Sequence, residues 1–175
     1  MADFNIFLKK TFDVEKGLST DRKDRGNYNG KGQFVGTNHG ISAKTLEAYL
    51  KRSVTSADMR SLTKLTAAKI YKTFYWDSIF GDRIYSQDVA NILGDHAVNF
   101  SPQKASKLVY RVLNLQYGLP VAPKSILTDT IITKINTIEP ENLFNTIKDF
   151  RIKIYLKGKN VKGQLNRMKQ FVYKK

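Results

Sequence analysis

The chain has 175 residues, 41% of them hydrophobic, with no cysteine, two histidines and a formal charge of +15. That length suits one compact domain around one core, and the composition excludes disulfides and thiolate chemistry; with only His39 and His96, far apart in sequence, no metal and no cofactor are expected. No apolar run approaches the roughly 20 residues of a membrane helix, and the opening MADFNIFLKK lacks a charged start and a continuous apolar stretch, so the expectation is a protein made in the cytoplasm without a signal peptide.

The positive charge is uneven: Arg151 to Lys175 holds nine Lys or Arg and no acid. Such a tail attracts nucleic acid, an anionic membrane face or an anionic cell wall, and a merely solubilising surface is the plain alternative.

Taken in chain order, caps and periodicity predict a mainly α protein. Phe4, Phe7, Leu8, Thr11, Phe12 and Glu15 recur at three- and four-residue steps, which predicts a helix over about 3 to 16 that stops at Gly17. The Gly-rich stretch from Ser19 to Gly40 reads as a β-hairpin or a long loop, with Asn29-Gly30 as its turn and Gln33 to Val35 as a return strand. Ser42 caps a helix to about Arg52, Thr66 one through Tyr75, and Ser86 one through Ala97. Ser101-Pro102 starts a helix that ends at Gly118. Further helices fit Thr128 to Asn136 and Glu141 to Leu156, and a last short one carries Leu165, Met168 and Val172. No internal repeat is present.

Glu15 sits where an amphipathic helix runs out. Desolvation on an apolar face and the negative end of the helix dipole both push a carboxyl pKa upward, which is the condition for a general acid that protonates a leaving oxygen. A solvated helix-end glutamate is the ordinary competitor. Asp21 and Asp24 follow in a loop that gives the two-carboxylate layout of sugar-acetal hydrolysis, and Asp and Gly are also common loop residues. Thr37, Asn38 and His39 return the chain with a hydroxyl and an amide that can hold water or sugar. Trp76 either stacks on a sugar or belongs to the core. Asp95 and Asn99 share a helix face, where they line a cleft or form a buried polar pair that fixes helix packing.

Other chemistries fit poorly. Gly26 to Lys31 fails the phosphate-loop pattern, no nucleophile elbow exists, and Ser101 is better explained as a cap than as a nucleophile.

Glu15 to Leu18, then Asp21, Asp24 and Gly26, then Thr37 to Ser42 resemble the "EGGY…D..D.GG.T.yGIT" opening of the glycoside hydrolase family 108 lysozymes, N-acetylmuramidases common in phages and prophages. Three more blocks follow in order. IYKTFYWDSI from Ile70 resembles "IY…YWdpi", DHAVNFS from Asp95 resembles "D.AVN.G", and FRIKIY with GQLNR up to Arg167 resembles "R..fY…GWlnR". Departures are Lys16 and Leu18 for Gly and Tyr, Asn27 for Gly, Gln164 for Trp, and a lengthened segment between Asn27 and Thr37.

The resemblance implies a lysozyme-like α+β fold and a muramidase of the endolysin type, acting in phage lysis by cell-wall degradation. Glu15 falls on the family's catalytic glutamate, and the layout also resembles phage-type lysozymes in which a helix-terminal glutamate is followed by an aspartate and a threonine, which implies Asp24, with Asp21 as the second choice, and a water-positioning Thr37 as its partners. Asp21, Asn38, His39, Trp76, Asp95 and Asn99 are the expected substrate contacts. The implied partners are bacterial peptidoglycan and an anionic wall surface. No specific nucleic acid is expected, the protein is expected to be a monomer, and it reaches the wall through a holin or another release route. The resemblance also implies a lysozyme-like catalytic region over residues 1–114 and a C-terminal helical region, 115–175, packed on the same domain and similar to a small peptidoglycan-binding subdomain. The competing class is a non-catalytic lysozyme-fold protein, either a phage structural part or a basic module that holds nucleic acid.

Overall fold

The computed structural model describes residues 1–12, 17–19, 21–122, 124, 126–158 and 160–174. The fold is mainly α, as the caps and periodicity predict. Among the described residues the α-helices are α1 (Phe4–Phe12), α2 (Ala43–Leu50), α3 (Ser56–Ser61), α4 (Lys64–Ile70), α5 (Gln87–Asn99), α6 (Pro102–Tyr117), α7 (Asp129–Asn136), α8 (Pro140–Tyr155) and α9 (Val161–Lys169). None of them is long and apolar enough to cross a membrane. The chain forms two compact units, Met1–Phe7 with Phe74–Lys175, and Leu8–Thr73. The divisions fall inside α1 and inside the π-helical turn Tyr71–Trp76 that continues α4.

The larger unit is a helical core. The Ser86 hydroxyl accepts from the Val89 N–H at 3.4 Å and starts α5; Ser101 does the same for Lys104 at 3.2 Å ahead of Pro102, and Gly118 stops α6 in the left-handed conformation at φ 60°. Glu139 caps α8 through the N–H groups of Glu141 and Asn142. These helices bury their apolar faces on one another: Leu93 of α5, Leu113 of α6 and Phe144 of α8 are each at most 1% exposed. Burial of a side chain of that size contributes about 1.5–3 kcal/mol. Close approaches leave two positions to glycine. A Cβ on Gly81 would lie 2.2 Å from Trp76 Cε2, and one on Gly94 would lie 2.7 Å from Phe7 Cε2.

The smaller unit joins short capped helices to a long loop. Ser42 caps α2, Thr55 and Asp58 form a reciprocal capping box on α3, and Thr63 caps α4. Ile41, Leu46, Met59, Ile70 and Tyr71 make its core, each at most 2% exposed.

Several boundaries differ from those predicted. The helix expected from Thr66 starts at Lys64, because Thr63 Oγ1 captures the Thr66 N–H at 3.1 Å. Helix α3 was not anticipated, since it has six residues and buries only Met59. Val172 lies beyond α9 and is exposed, while Phe171 turns inward. The predicted end of the first helix, Asp13 to Lys16, lies outside the described residues.

Of the two readings of Ser19 to Gly40, the long loop holds. Its described residues carry isolated antiparallel bridges, Ser19 with Thr37 and Tyr28 with Phe34, and no hairpin strands. Asn29 does not start a two-residue turn: its Oδ1 accepts from the N–H groups of Lys31 and Gln33, and its Nδ2 donates to the Val54 carbonyl at 2.9 Å.

Candidate active site

The loop that carries Asp21, Asp24 and Thr37 is held shut by its own backbone. The Ser19 N–H donates to the Thr37 carbonyl at 2.7 Å and the Thr37 N–H to Ser19 at 3.2 Å, while Val35 and Gly36 both donate to the Asn27 carbonyl. Inside that frame the two aspartates shape the turn between them. Asp21 Oδ1 accepts from the Lys23 N–H at 2.9 Å, and Asp24 Oδ1 accepts from Gly26 at 2.8 Å, capping a single 3-10 turn, Arg25–Asn27. Both carboxylates remain exposed to solvent. The Asn27 side chain is buried and donates to the Asp21 carbonyl at 2.7 Å, so it fastens the turn from beneath.

Thr37 is different in kind. Its hydroxyl oxygen is buried and has no hydrogen-bond partner among the described residues. An unsatisfied buried hydroxyl costs about 1–3 kcal/mol, so one that persists in a fold is a place where water or a ligand group is favoured.

The next two positions are tied to the scaffold. Asn38 Nδ2 donates to the Met59 carbonyl at 2.9 Å, which fixes its amide. His39 and Gly40, at φ 48° and 72°, are the centre of a tight turn closed by the mutual bonds of Asn38 and Ile41. The His39 carbonyl accepts from the Tyr71 hydroxyl at 3.1 Å, and Phe12 packs 5.6 Å from the Tyr71 ring, nearly perpendicular to it. Glu15 lies outside the described residues.

One residue that the sequence did not single out braces the loop tip. Glu47 of α2 accepts from the Gly30 N–H at 2.8 Å, from the Val54 N–H at 3.2 Å and from the Ser53 hydroxyl at 3.1 Å. Desolvation pushes its carboxyl up, but these donors outweigh it and hold the group below the usual carboxylate range. No helix or cap pattern announces such a brace, because its donors lie six to seventeen residues away and outside its own helix.

The remaining predicted contacts belong to the larger unit. Trp76 is 0% exposed; its ring lies 5.0 Å from Phe7 and its Nε1 donates to Asp82 at 2.7 Å, so the indole serves the core and is not open to a sugar face. Asp95 is likewise buried. It pairs with Arg151 Nη2 at 2.6 Å and with Arg167 through Nε at 2.8 Å and Nη2 at 2.7 Å. Arg151, 0% exposed, also donates to the Ile92 carbonyl at 2.8 Å and to the Tyr155 hydroxyl. Desolvation would raise the Asp95 carboxyl, yet the two guanidiniums hold it well below its ordinary value. Asn99 is exposed, and its side-chain amide donates back to the Asp95 carbonyl at 2.8 Å. The cleft expected for Asp95 and Asn99 is therefore replaced by a buried ion cluster that ties α5 to α8 and α9.

That cluster joins two of the sequence blocks. Asp95 opens one, and Arg151, Tyr155 and Arg167 belong to the other, so residues 72 and 56 positions apart meet on one carboxylate. Their partnership was invisible in the sequence, which shows spacing and not packing.

Among the described residues no group of His, Asp and Glu is placed to hold a metal ion. Residues 8–100 match the model of the glycosyl hydrolase 108 family. A solved structure, that of Brucella abortus SagA, is similar with a TM-score of 0.80 and 26% identity, over 96% of this chain and 90% of that one. No curated protein matches. With the family match covering more than half of the sequence, the chain belongs to the glycosyl hydrolase 108 family and is a glycoside hydrolase of the lysozyme-like, peptidoglycan-degrading kind.

Proposed function

We propose that this enzyme is a muramidase that cleaves the β-1,4 bond between N-acetylmuramic acid and N-acetylglucosamine. Glu15 donates its proton to the glycosidic oxygen as that bond breaks. Asp24, or Asp21 in its place, stabilises the oxocarbenium-like charge or takes a proton from water, and Thr37 holds that water.

The observation that carries the reading is the contrast inside one loop. Asp24 offers an exposed carboxylate on a capped, fixed turn, while Thr37 offers a buried hydroxyl without a partner among the described residues. Both lie with Glu15 in the stretch Leu8–Thr73 and inside the matched family region. Asp21 and His39, on the same loop, are the proposed sugar contacts there.

The surroundings of the reaction belong to the same proposal. The basic surface draws the enzyme to an anionic wall, residues 115–175 add affinity for it, and the protein works as a monomer that reaches the wall through a release route such as a holin.

The test is release of soluble fragments from purified peptidoglycan, with the new reducing end identified by mass spectrometry. Muramic acid at that end, and no release by Glu15→Gln, is the expected result. Glucosamine at the reducing end would overturn the bond assignment. No release by folded wild type on several wall chemotypes would move the reading to a binding protein.

A further inference from the structure

Away from the loop, the larger unit has a groove of about 240 Å³ where the end of α5 meets α6 and Ile154 of α8. Its floor is apolar: Leu108 is 3% exposed, and Phe100 and Ile154 are half-buried. Its rim is cationic. Lys104, Lys107 and Arg111 are exposed and lie at steps of three and four along one face of α6. Lys104 Nζ stands 5.4 Å from the Phe100 ring, so its charge is held at the edge of the apolar floor, and the Arg111 guanidinium lies 5.9 Å from the ring of Phe150, outside the groove lining. His96 also lines the groove. It is 2% exposed and its Nδ1 has no hydrogen-bond partner among the described residues.

Among its described lining residues the groove has no acid, amide or hydroxyl. A sugar chain needs such paired donors and acceptors, and a bare polyanion would leave the floor unused. Three cations over an apolar floor match one chemistry: an anionic head joined to an aliphatic chain.

We infer that this groove binds an anionic lipid, with the phosphate between Lys107 and Arg111 and the first methylenes against Phe100, Leu108 and Ile154. Neither this site nor its occupant is part of the muramidase reading, and each stands if the other fails.

The direct test is titration of the full chain with dihexanoyl phosphatidylglycerol, dihexanoyl phosphatidylcholine and inorganic phosphate, followed by NMR shifts at His96 and Phe100. Phosphatidylglycerol is expected to bind at least about tenfold more tightly than either of the others, and Lys107→Glu/Arg111→Glu to lose that preference with an unchanged melting temperature. Flotation with phosphatidylglycerol vesicles is expected to carry the wild type and to leave the double variant behind. Equal affinity for the choline lipid or for phosphate, or undiminished binding by the double variant, would overturn the inference. Binding of the soluble lipid without flotation would overturn a membrane source. Capture of an oligonucleotide at this face, with no lipid binding, would assign it to a polyanion instead.

Discussion

The two units solve opposite problems with the same residue type. In Leu8–Thr73 the aspartates Asp21 and Asp24 stay in solvent and spend one oxygen each on backbone N–H groups. In the other unit Asp95 is buried and paired with two guanidiniums, one of which also donates to the Tyr155 hydroxyl. A carboxylate that must act on substrate has to remain accessible and only partly satisfied, whereas one that must join helices has to be fully paired, because a lone buried charge is costly. Sequence position alone does not separate these two settings: Asp24 and Asp95 both fall in blocks that resemble the family.

The sharpest way to break this contrast is to remove one partner of the buried cluster. Arg151→Ala leaves Asp95 short of a cation in the core and is expected to cost about 3–5 kcal/mol in chemical denaturation. A loss below about 1 kcal/mol would show that the cluster is not what joins α5 to α8. Next in size, Gly81→Ala pushes a methyl into Trp76 and is expected to cost about 1–3 kcal/mol, with a lower melting temperature and unchanged cleavage by the folded fraction.

Acid provides a third test of the same unit. Burial first, and the nearby Arg151 second, pull His96 down to about 3 from 6.5. The unfolded chain therefore takes up that proton first, so stability is full above about pH 6.5 and falls toward pH 3 by up to about 1.4 kcal/mol per unit. Asp95, whose carboxyl is also lowered, adds to the loss further into acid, below its unfolded value. His96→Leu is expected to remove the upper part of this slope in denaturation curves at pH 7 and 4.5, and an unchanged slope would assign it elsewhere.

The smallest expected effect on folding is in the loop. Asp24→Ala removes the cap of one 3-10 turn and should cost about 1 kcal/mol or less, while its effect on cleavage should be far larger. Equal loss of stability and of cleavage would make Asp24 a scaffold residue like Asp95.

The helices were legible because their signals are local. Ser42, Ser86, Ser101-Pro102 and Gly118 act within five residues of themselves, and they mark the ends that the structure shows. The loop was half legible. Asn29-Gly30 marks a turn correctly but not its type, because the Asn29 side chain bonds to Gln33 and to Val54, and the latter partner is 25 positions away. The sequence leaves Asp95 between lining a cleft and forming a buried polar pair with Asn99; the structure buries it with Arg151 and Arg167 instead, partners that only packing reveals. Trp76 is similar: its indole needs Gly81 and Phe7 to become core, and neither is adjacent on its own helix.

The measurement that tests the central claim most directly sets Glu15→Gln beside Asp95→Asn, each assayed for melting temperature and for cleavage of purified peptidoglycan per folded molecule. The account predicts that Glu15→Gln melts like the wild type and loses cleavage by about a hundredfold or more, while Asp95→Asn melts lower and cleaves normally while folded. The reverse pattern, with cleavage intact in Glu15→Gln and lost in a fully folded Asp95→Asn, would contradict it.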